Sequence, residues 1–391
     1  MSAHHQLALA RPWDRGCASA AAPAPFVWAV ENRRCGDTEQ TLALVEALPW
    51  PVSVIKVGDQ KANARLLEGM RRAWSAVPAL PLPGQPERPD LVICCGHEAE
   101  LFAQEIRKAG SPDTRLVYIG RPLSPLSDFA LIVSTPQYAL PASDNVIEIA
   151  LPFHRVRPER IAAAAKAWAP RFAHLPRPYI ALMVGGSTGP YLLDSRTAVR
   201  LARQANERVR ETGGSLLVST CHRTRPWVIS ALTQHLEVPA HVYRWSADAA
   251  ENPYLAYLGL ADEIIVTGDS MSMLSEAAAT AKPLHIFDLG ESAYTMRQEW
   301  RAEPGLLCRP KVLARGLQFR LAEATMAPNR RRDIRRILHN LVASGHAVWL
   351  GDPLPAAPPP LPPSGIDAVA RRVVALFEPT ISADRHARIC A

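Results

Sequence analysis

The sequence predicts an α/β protein of two Rossmann-like, doubly wound parallel-sheet domains. Three observations carry that prediction. From residue 26 onward short apolar runs alternate with amphipathic stretches of helical length, the trace that βαβ units leave in a sequence. The alternation occurs in two series, separated by RVRPERIAAAAKAWAPRFAHLPRP (155–178), a helix followed by a proline-bounded linker. A chain of 391 residues, 48% hydrophobic and 21% charged, also has the size and composition of two globular domains.

Taken in order, residues 1–25 are rich in Ala and Pro, lack the basic start and long apolar stretch of a secretory signal, and read as a disordered leader. The first domain, 26–175, has strand candidates FVWAVE (26–31), VSVIKV (52–57), DLVICC (90–95), RLVYIG (115–120), FALIVS (129–134) and NVIEIA (145–150). Thr41 to Leu48 and Ala64 to Ala76 are its clearest helices. Residues 77–89, VPALPLPGQPERP, hold too many prolines for helix or central strand. The second domain, 176–350, offers YIALMVGG (179–186), SLLVST (215–220), AHVYRW (240–245), EIIVTG (263–268) and PLHIFD (283–288), with helices near 194–210, 226–236, 253–260 and 271–280. Residues 351–391 read as a stiff proline spacer followed by a terminal helix.

Composition narrows the function classes. No window of about 18 uncharged apolar residues exists, so no spanning helix is expected. Seven scattered cysteines without a C-x-x-C pair argue against a disulfide framework and a zinc site, and for a reducing, cytoplasmic setting. A net charge of +7 favours anionic partners. The densest basic run, Asn329 to Arg336, reads most simply as a solvated helix face. Attachment to the inner face of a membrane ranks second. Nucleic acid ranks last, because no aromatic residues interleave with the arginines.

Ligands of open parallel sheets sit outside the carboxyl ends of the strands, so the residues that end each strand matter most. Gly185, Gly186 and Ser187 end the first strand of the second series; glycines let backbone N–H groups approach an anion, and the hydroxyl adds a donor. The frame and lysine of a P-loop are missing, and so is G-x-G-x-x-G, so this turn alone serves equally as a plain strand-to-loop connection. Thr220 and Arg223, beside His222, form a candidate phosphate clamp. The alternative there is an N-cap by Thr224 with exposed arginines. Asn252, before Pro253, is explained as a helix cap without any function, although its loop lies where a planar base could rest.

The stretch TGDSMSMLSE (267–276) places three serines and an acid where the strand EIIV gives way to a helix. Free N–H groups at that helix start favour a diphosphate. Ser270 and Ser272 stand at the start, and Glu276 shares a helix face with Ser272, one turn deeper, where it could accept from ribose hydroxyls. The plainer alternative is Ser270 as an N-cap and Glu276 as a surface acid.

The segments VGGSTGPYLLD (184–194), LLVSTCHRTRP (216–226), NPYLAYLGLADEIIVTGDSMSMLSEA (252–277) and FHRV (153–156) resemble the family of the plant mitochondrial fission factor named for elongated mitochondria. Bacterial members of that family are regarded as glycosyltransferases. The resemblance covers roughly residues 26–350 and implies a GT-B-like fold, two Rossmann-like domains facing a cleft with a nucleotide-sugar held mainly by the C-terminal one. It supports Gly185, Gly186, Ser187, Thr220, Arg223, Asn252, Ser270, Ser272 and Glu276 as donor-side residues, and Gly36, Asp37 and Gln40 match its early motif. The chain departs from the family pattern at Cys221-His222, at Ala130 and in STPQYALPASDN (134–145).

The function expected from these readings is transfer from a nucleoside-diphosphate sugar to a cell-envelope lipid or polysaccharide acceptor. Asp37 or His97 would be the base, with no metal and no cofactor beyond the sugar donor. Peripheral membrane contact fits the acceptor. A rival reading is a non-catalytic adaptor that keeps the fold and recruits a protein partner. A dinucleotide enzyme or epimerase is weakened by the missing G-x-G-x-x-G and Y-x-x-x-K patterns.

Overall fold

The structure, a computed structural model, describes residues 24–57, 88–110, 113–291, 294–297, 310–325, 331–355 and 364–378. The leader up to residue 23, the helix expected at 64–76, most of the proline-rich connection 77–89 and the middle of the 352–365 tract lie outside these residues.

The first half folds as β1 (Val27–Glu31), α1 (Cys35–Glu46), β2 (Val52–Lys56), β3 (Leu91–Cys95), α2 (His97–Gly110), β4 (Arg115–Ile119), β5 (Leu131–Ser134) and β6 (Val146–Glu148). Its six strands are parallel and lie in the order β2-β1-β3-β4-β5-β6. After the linker come α3 (Pro158–Phe172), β7 (Tyr179–Val184), α4 (Ser195–Thr212), β8 (Ser215–Thr220), α5 (Pro226–Gln234) and β9 (Ala240–Tyr243). The chain continues through α6 (Tyr254–Leu260), β10 (Glu263–Thr267), α7 (Met271–Ala278), β11 (Leu284–Phe287), α8 (Pro310–Thr325), α9 (Arg335–Ala343), β12 (Val348–Trp349) and α10 (Ile366–Ala375). The second sheet is also parallel throughout, in the order β12-β11-β10-β7-β8-β9. The chain therefore adopts two Rossmann-like doubly wound domains.

Strand chemistry follows position in the sheet. The central strands LVICC, YIALMV and SLLVST are buried along their whole length, because helices cover both faces and leave no place for a polar alternation. The edge strands β2 and β9 are only partly buried and carry Ser53, Lys56 and His241. Helix ends obey local chemistry. Asp194 caps α4 by accepting from the Thr197 N–H at 3.0 Å, and Gly213 at φ 75° ends it.

Two elements sit elsewhere than the chain order suggests. Helix α3, which the sequence reading places before a domain boundary near residue 175, packs on the second domain: Phe172 and Trp168 join the core formed by β7, β8 and Tyr257. Helix α10 returns to the first domain, where Val369, Ala370 and Val373 complete the core around Val27, Leu44 and Leu131. Of the segment FHRV, Phe153 also joins that core. Arg155 pairs with Glu46 of α1 at 2.6 Å. Strand β12 was not expected, since two residues between a helix and a proline tract leave no periodic pattern to read.

Topology fixes where the crevices are. Strand order reverses between β1 and β3 in the first sheet and between β7 and β10 in the second. These are the two switch points at which open α/β sheets hold ligands.

Candidate active site at the facing switch points

At the first switch point, α1 begins right after β1, and its first turn carries Asp37. The Asn32 side chain donates to the Cys95 carbonyl at 2.6 Å and to Asp37 Oδ2 at 3.4 Å, tying the β1 and β3 ends together. Gly96, at φ 85°, lets the chain turn beneath that carboxylate. A Cβ there would stand 2.5 Å from Asp37 Oδ2 and 2.6 Å from Asn32 Nδ2, so no other residue fits without displacement. Burial raises the Asp37 carboxyl above the usual aspartate value; Arg34, the Asn32 and Cys95 hydrogen bonds and Arg332 oppose it. His97, the first residue of α2, is exposed at the rim of the same crevice. Both candidate bases thus line one pocket of about 240 Å³, shared with Gln40, Gln137, Tyr138 and Arg332.

The second switch point is organised by Asp269, an acid in the stretch singled out above but given no role of its own by the sequence reading. Its side chain is fully buried; Oδ2 accepts from the Gly186 N–H at 2.8 Å and meets Arg223 Nη2 at 2.7 Å. Complete burial raises this carboxyl, against the pull of Arg223 and of the Gly186 N–H. The two glycines are required by that packing. A Cβ on Gly185 would lie 2.3 Å from Asp269 Oδ2, and one on Gly186 would lie 2.7 Å from the Arg223 Cβ. Their N–H groups, expected to meet a bound anion, are instead given to the protein: Gly185 donates to Thr267 Oγ1 at 2.8 Å and Gly186 to Asp269. Sequence reasoning missed this because a carboxylate 83 residues away supplies the anion.

The other expected residues divide into two groups. Thr220 Oγ1 accepts the Trp245 N–H at 2.9 Å, binding the end of β8 to the loop after β9. Asn252 Oδ1 accepts the Tyr254 N–H at 3.0 Å from one residue before the N-cap position, which Pro253 occupies, so the expected cap is replaced by a local turn bond, and Ser187 Oγ accepts the Leu193 N–H at 2.9 Å. Thr224 anchors the loop after β8, donating to the Gly185 carbonyl at 2.7 Å. By contrast Ser272 lies at the first domain, where a Cβ on Gly36 would approach its hydroxyl. Ser270 occupies the N-cap position of α7 without a side-chain capping bond, and Arg223 keeps a third of its side chain exposed. Glu276 accepts a short hydrogen bond from the Tyr254 hydroxyl, and burial, reinforced by nearby Glu39, pushes its carboxyl up to about 7 despite that bond.

The two switch points face one another. A Cβ on Gly36 would lie 3.2 Å from Ser272 Oγ, and Ser275 Oγ donates to the Pro152 carbonyl at 2.6 Å. From the second half, the Asp333 N–H donates to the Gln137 carbonyl at 2.8 Å, and Arg332 Nε donates to Gln137 Oε1 at 2.8 Å. The run read as a solvated helix face is therefore corrected in part. Arg331 and Arg332 precede α9 and reach the first domain, and Arg335 pairs with Asp333 at 2.7 Å.

Residues 35–303, a span that begins with α1 and includes both switch points, match the family described as Mitochondrial fission ELM1. The chain belongs to that family. The mitochondrial fission protein ELM1 of Arabidopsis thaliana is 28% identical over 224 residues, 51% of this chain and 51% of the plant protein. The chain thus spans about half the length of that relative. An uncharacterized protein of Rickettsia prowazekii is 22% identical over 303 residues, covering 67% of this chain and 82% of its own length. Among solved structures, a glycosyl transferase family 9 protein of Veillonella parvula aligns at TM-score 0.44 and 10% identity, covering 83% of this chain and 98% of its own. A UDP-GlcNAc 2-epimerase of Methanocaldococcus jannaschii aligns at 0.49 and 8%, covering 89% and 99%. Likenesses this distant carry no information about activity. Gln137 and Tyr138, within 134–145, line the first-domain pocket.

Proposed function

We propose that this member of the ELM1 family is a glycosyltransferase that uses a nucleoside-diphosphate sugar. One observation carries the reading: the Asp37 loop of the first domain and the start of α7 in the second are apposed at two topological switch points. In this reading the nucleotide lies along the second switch point, with its diphosphate at the N–H groups of α7 and near the exposed part of Arg223. Glu276, raised toward neutrality, offers both a donor and an acceptor to ribose hydroxyls.

The acceptor enters from the first domain. Its hydroxyl oxygen attacks the anomeric carbon, the bond from that carbon to the diphosphate oxygen breaks, and the hydroxyl proton passes to Asp37. A carboxyl raised by burial is the stronger base for that transfer. The negative charge left on the diphosphate is met by the α7 N-terminus and Arg223. His97 at the rim is the second candidate for the proton. A cell-envelope lipid or polysaccharide remains the acceptor class that the family resemblance implies.

The test is thermal unfolding with UDP, GDP, ADP, CMP and NAD, on the wild type and on Glu276→Ala. Ligand at a hundredfold over its dissociation constant adds about 2.7 kcal/mol, enough to raise the midpoint by several degrees. A shift with one nucleoside diphosphate that vanishes in the variant supports the reading. No shift with any nucleotide would replace it with the adaptor.

A further inference from the structure

We propose that a recess at the amino ends of β10 and β11 binds a small carboxylate with a short aliphatic tail, held by Lys282. The recess lies among α3, α6 and the turn after α7, where Leu258 and Gly259 stand in the last turn of α6 and Lys282 leads into β11. The second switch point is at the opposite, carboxyl ends of the same strands. The inference therefore goes beyond the transferase reading and does not depend on it.

Lys282 is the only charged residue among the described residues that line this recess of about 300 Å³. Its ammonium donates to the Leu258 carbonyl at 2.7 Å and to the Gly259 carbonyl at 2.6 Å, and among the described residues no carboxylate stands within ion-pair distance of it. Asp262, the acid that acts on it from further away, is engaged elsewhere: it pairs with Arg177 at 3.2 Å and accepts the Tyr179 N–H at 2.7 Å. Burial lowers the Lys282 amine below the ordinary lysine value, with Asp262 opposing and Arg177 adding to the effect. Capping the end of α6 uses two of the three ammonium N–H groups. One N–H and a half-buried positive charge are left without a counter-ion, and a bound carboxylate supplies the partner for both.

The remaining wall selects what the carboxylate carries. Val156, Ile161, Ala162 and Leu258 present apolar surface, and the Thr280 hydroxyl, the other polar side chain of the lining, is already given to the Ala277 carbonyl at 2.7 Å. A wholly polar anion would gain nothing from that wall, and an uncharged apolar molecule would leave the ammonium unmatched. An alkyl carboxylate meets both. The frame is fixed by close packing. A Cβ on Gly259 would stand 2.8 Å from the Ala165 Cβ and from Ile161 Cγ2, so α3 and α6 touch there through small groups and hold the two carbonyls in place. The chain leaves α7 through Ala281 at φ 55°, a conformation usually left to glycine, and that turn brings Lys282 to the end of α6.

Calorimetric titration of the full chain with hexanoate tests the proposal, with hexanol, hexylamine and inorganic phosphate as controls. One site for hexanoate is expected, with hexanol and phosphate weaker by about tenfold or more, the scale of one charged hydrogen bond, and hexylamine not bound. Lys282→Met keeps the aliphatic stem, removes the charge and should erase the preference for hexanoate over hexanol. Ala162→Phe fills the recess from α3 without altering Lys282 and should abolish binding of both at an unfolding midpoint close to that of the wild type. It carries the test if Lys282→Met does not fold. Equal affinity for hexanol and hexanoate, the same preference retained in Lys282→Met, hexanoate binding retained in Ala162→Phe, or no binding at tens of millimolar would overturn the inference. Every arm is read without a nucleotide and away from Asp37 and Arg223, so its failure and failure of the donor assignment are told apart.

Discussion

Arg223 Nη2 stands 2.7 Å from Oδ2 of Asp269, and the same oxygen accepts the Gly186 N–H at 2.8 Å. One buried carboxylate thus joins the loops after β7, β8 and β10 at the second switch point. It gives the glycine pair a packing reason and presents Arg223 at the crevice in a fixed pose. Asp269→Ala should remove all of this together. Losing one partner of a buried pair costs about 3–5 kcal/mol, and the partial exposure of Arg223 puts the expected value near the lower end. A urea midpoint lowered accordingly at unchanged slope is the expected result. A loss below about 1 kcal/mol would show that the pair organises nothing.

Glu276 should make stability fall as pH rises. Its carboxyl lies at about 7 in the folded chain against an ordinary value of 4.5, so the folded state holds the proton more tightly. The contribution is complete below pH 4.5 and is lost as pH rises through 7, an effect of up to about 3 kcal/mol. Glu276→Gln keeps an acceptor for Tyr254 and cannot ionise. Denaturation at pH 5 and pH 8 should show the variant gaining on the wild type only at the higher pH; parallel curves would refute the assignment.

Asp37→Asn tests the base. Replacing a general base lowers turnover about 10²–10⁴-fold, while donor binding at the opposite switch point should be retained. Because burial raises the Asp37 carboxyl, the acid limb of the wild-type rate profile should lie above the ordinary aspartate value and be absent from residual activity in the variant. A turnover loss of that size in His97→Ala, with Asp37→Asn active, would transfer the role.

Helix α10 should be part of the first domain in solution. Val369 and Val373 are fully buried in the core of the first sheet, and Trp50 meets Phe377 with ring centroids 5.3 Å apart. Burying a valine side chain contributes about 1.5–3 kcal/mol. A chain ending before residue 364 should lose several kcal/mol and expose α1 to limited proteolysis. Proteolytic resistance equal to that of the full chain would contradict the packing.

Much of this was legible along the chain. Alternating apolar and amphipathic runs determined every strand of both sheets except the two-residue β12, because backbone pairing and two-sided burial leave a periodic mark on consecutive residues. The strand-ending loops singled out Arg223 and Ser272 as candidates, the helix face shared with Ser272 added Glu276, and the family resemblance added Asp37. Spatial pairing leaves no such mark. Only the tertiary structure decided that the Gly186 N–H is given to Asp269, that Thr220 holds the Trp245 N–H, and that Arg332 completes a pocket in the other domain. It also decided that α3 and α10 each pack on the domain that chain order does not suggest. Each of these depends on a partner dozens or hundreds of residues away, brought close by strand order and domain apposition, and no local pattern records that distance.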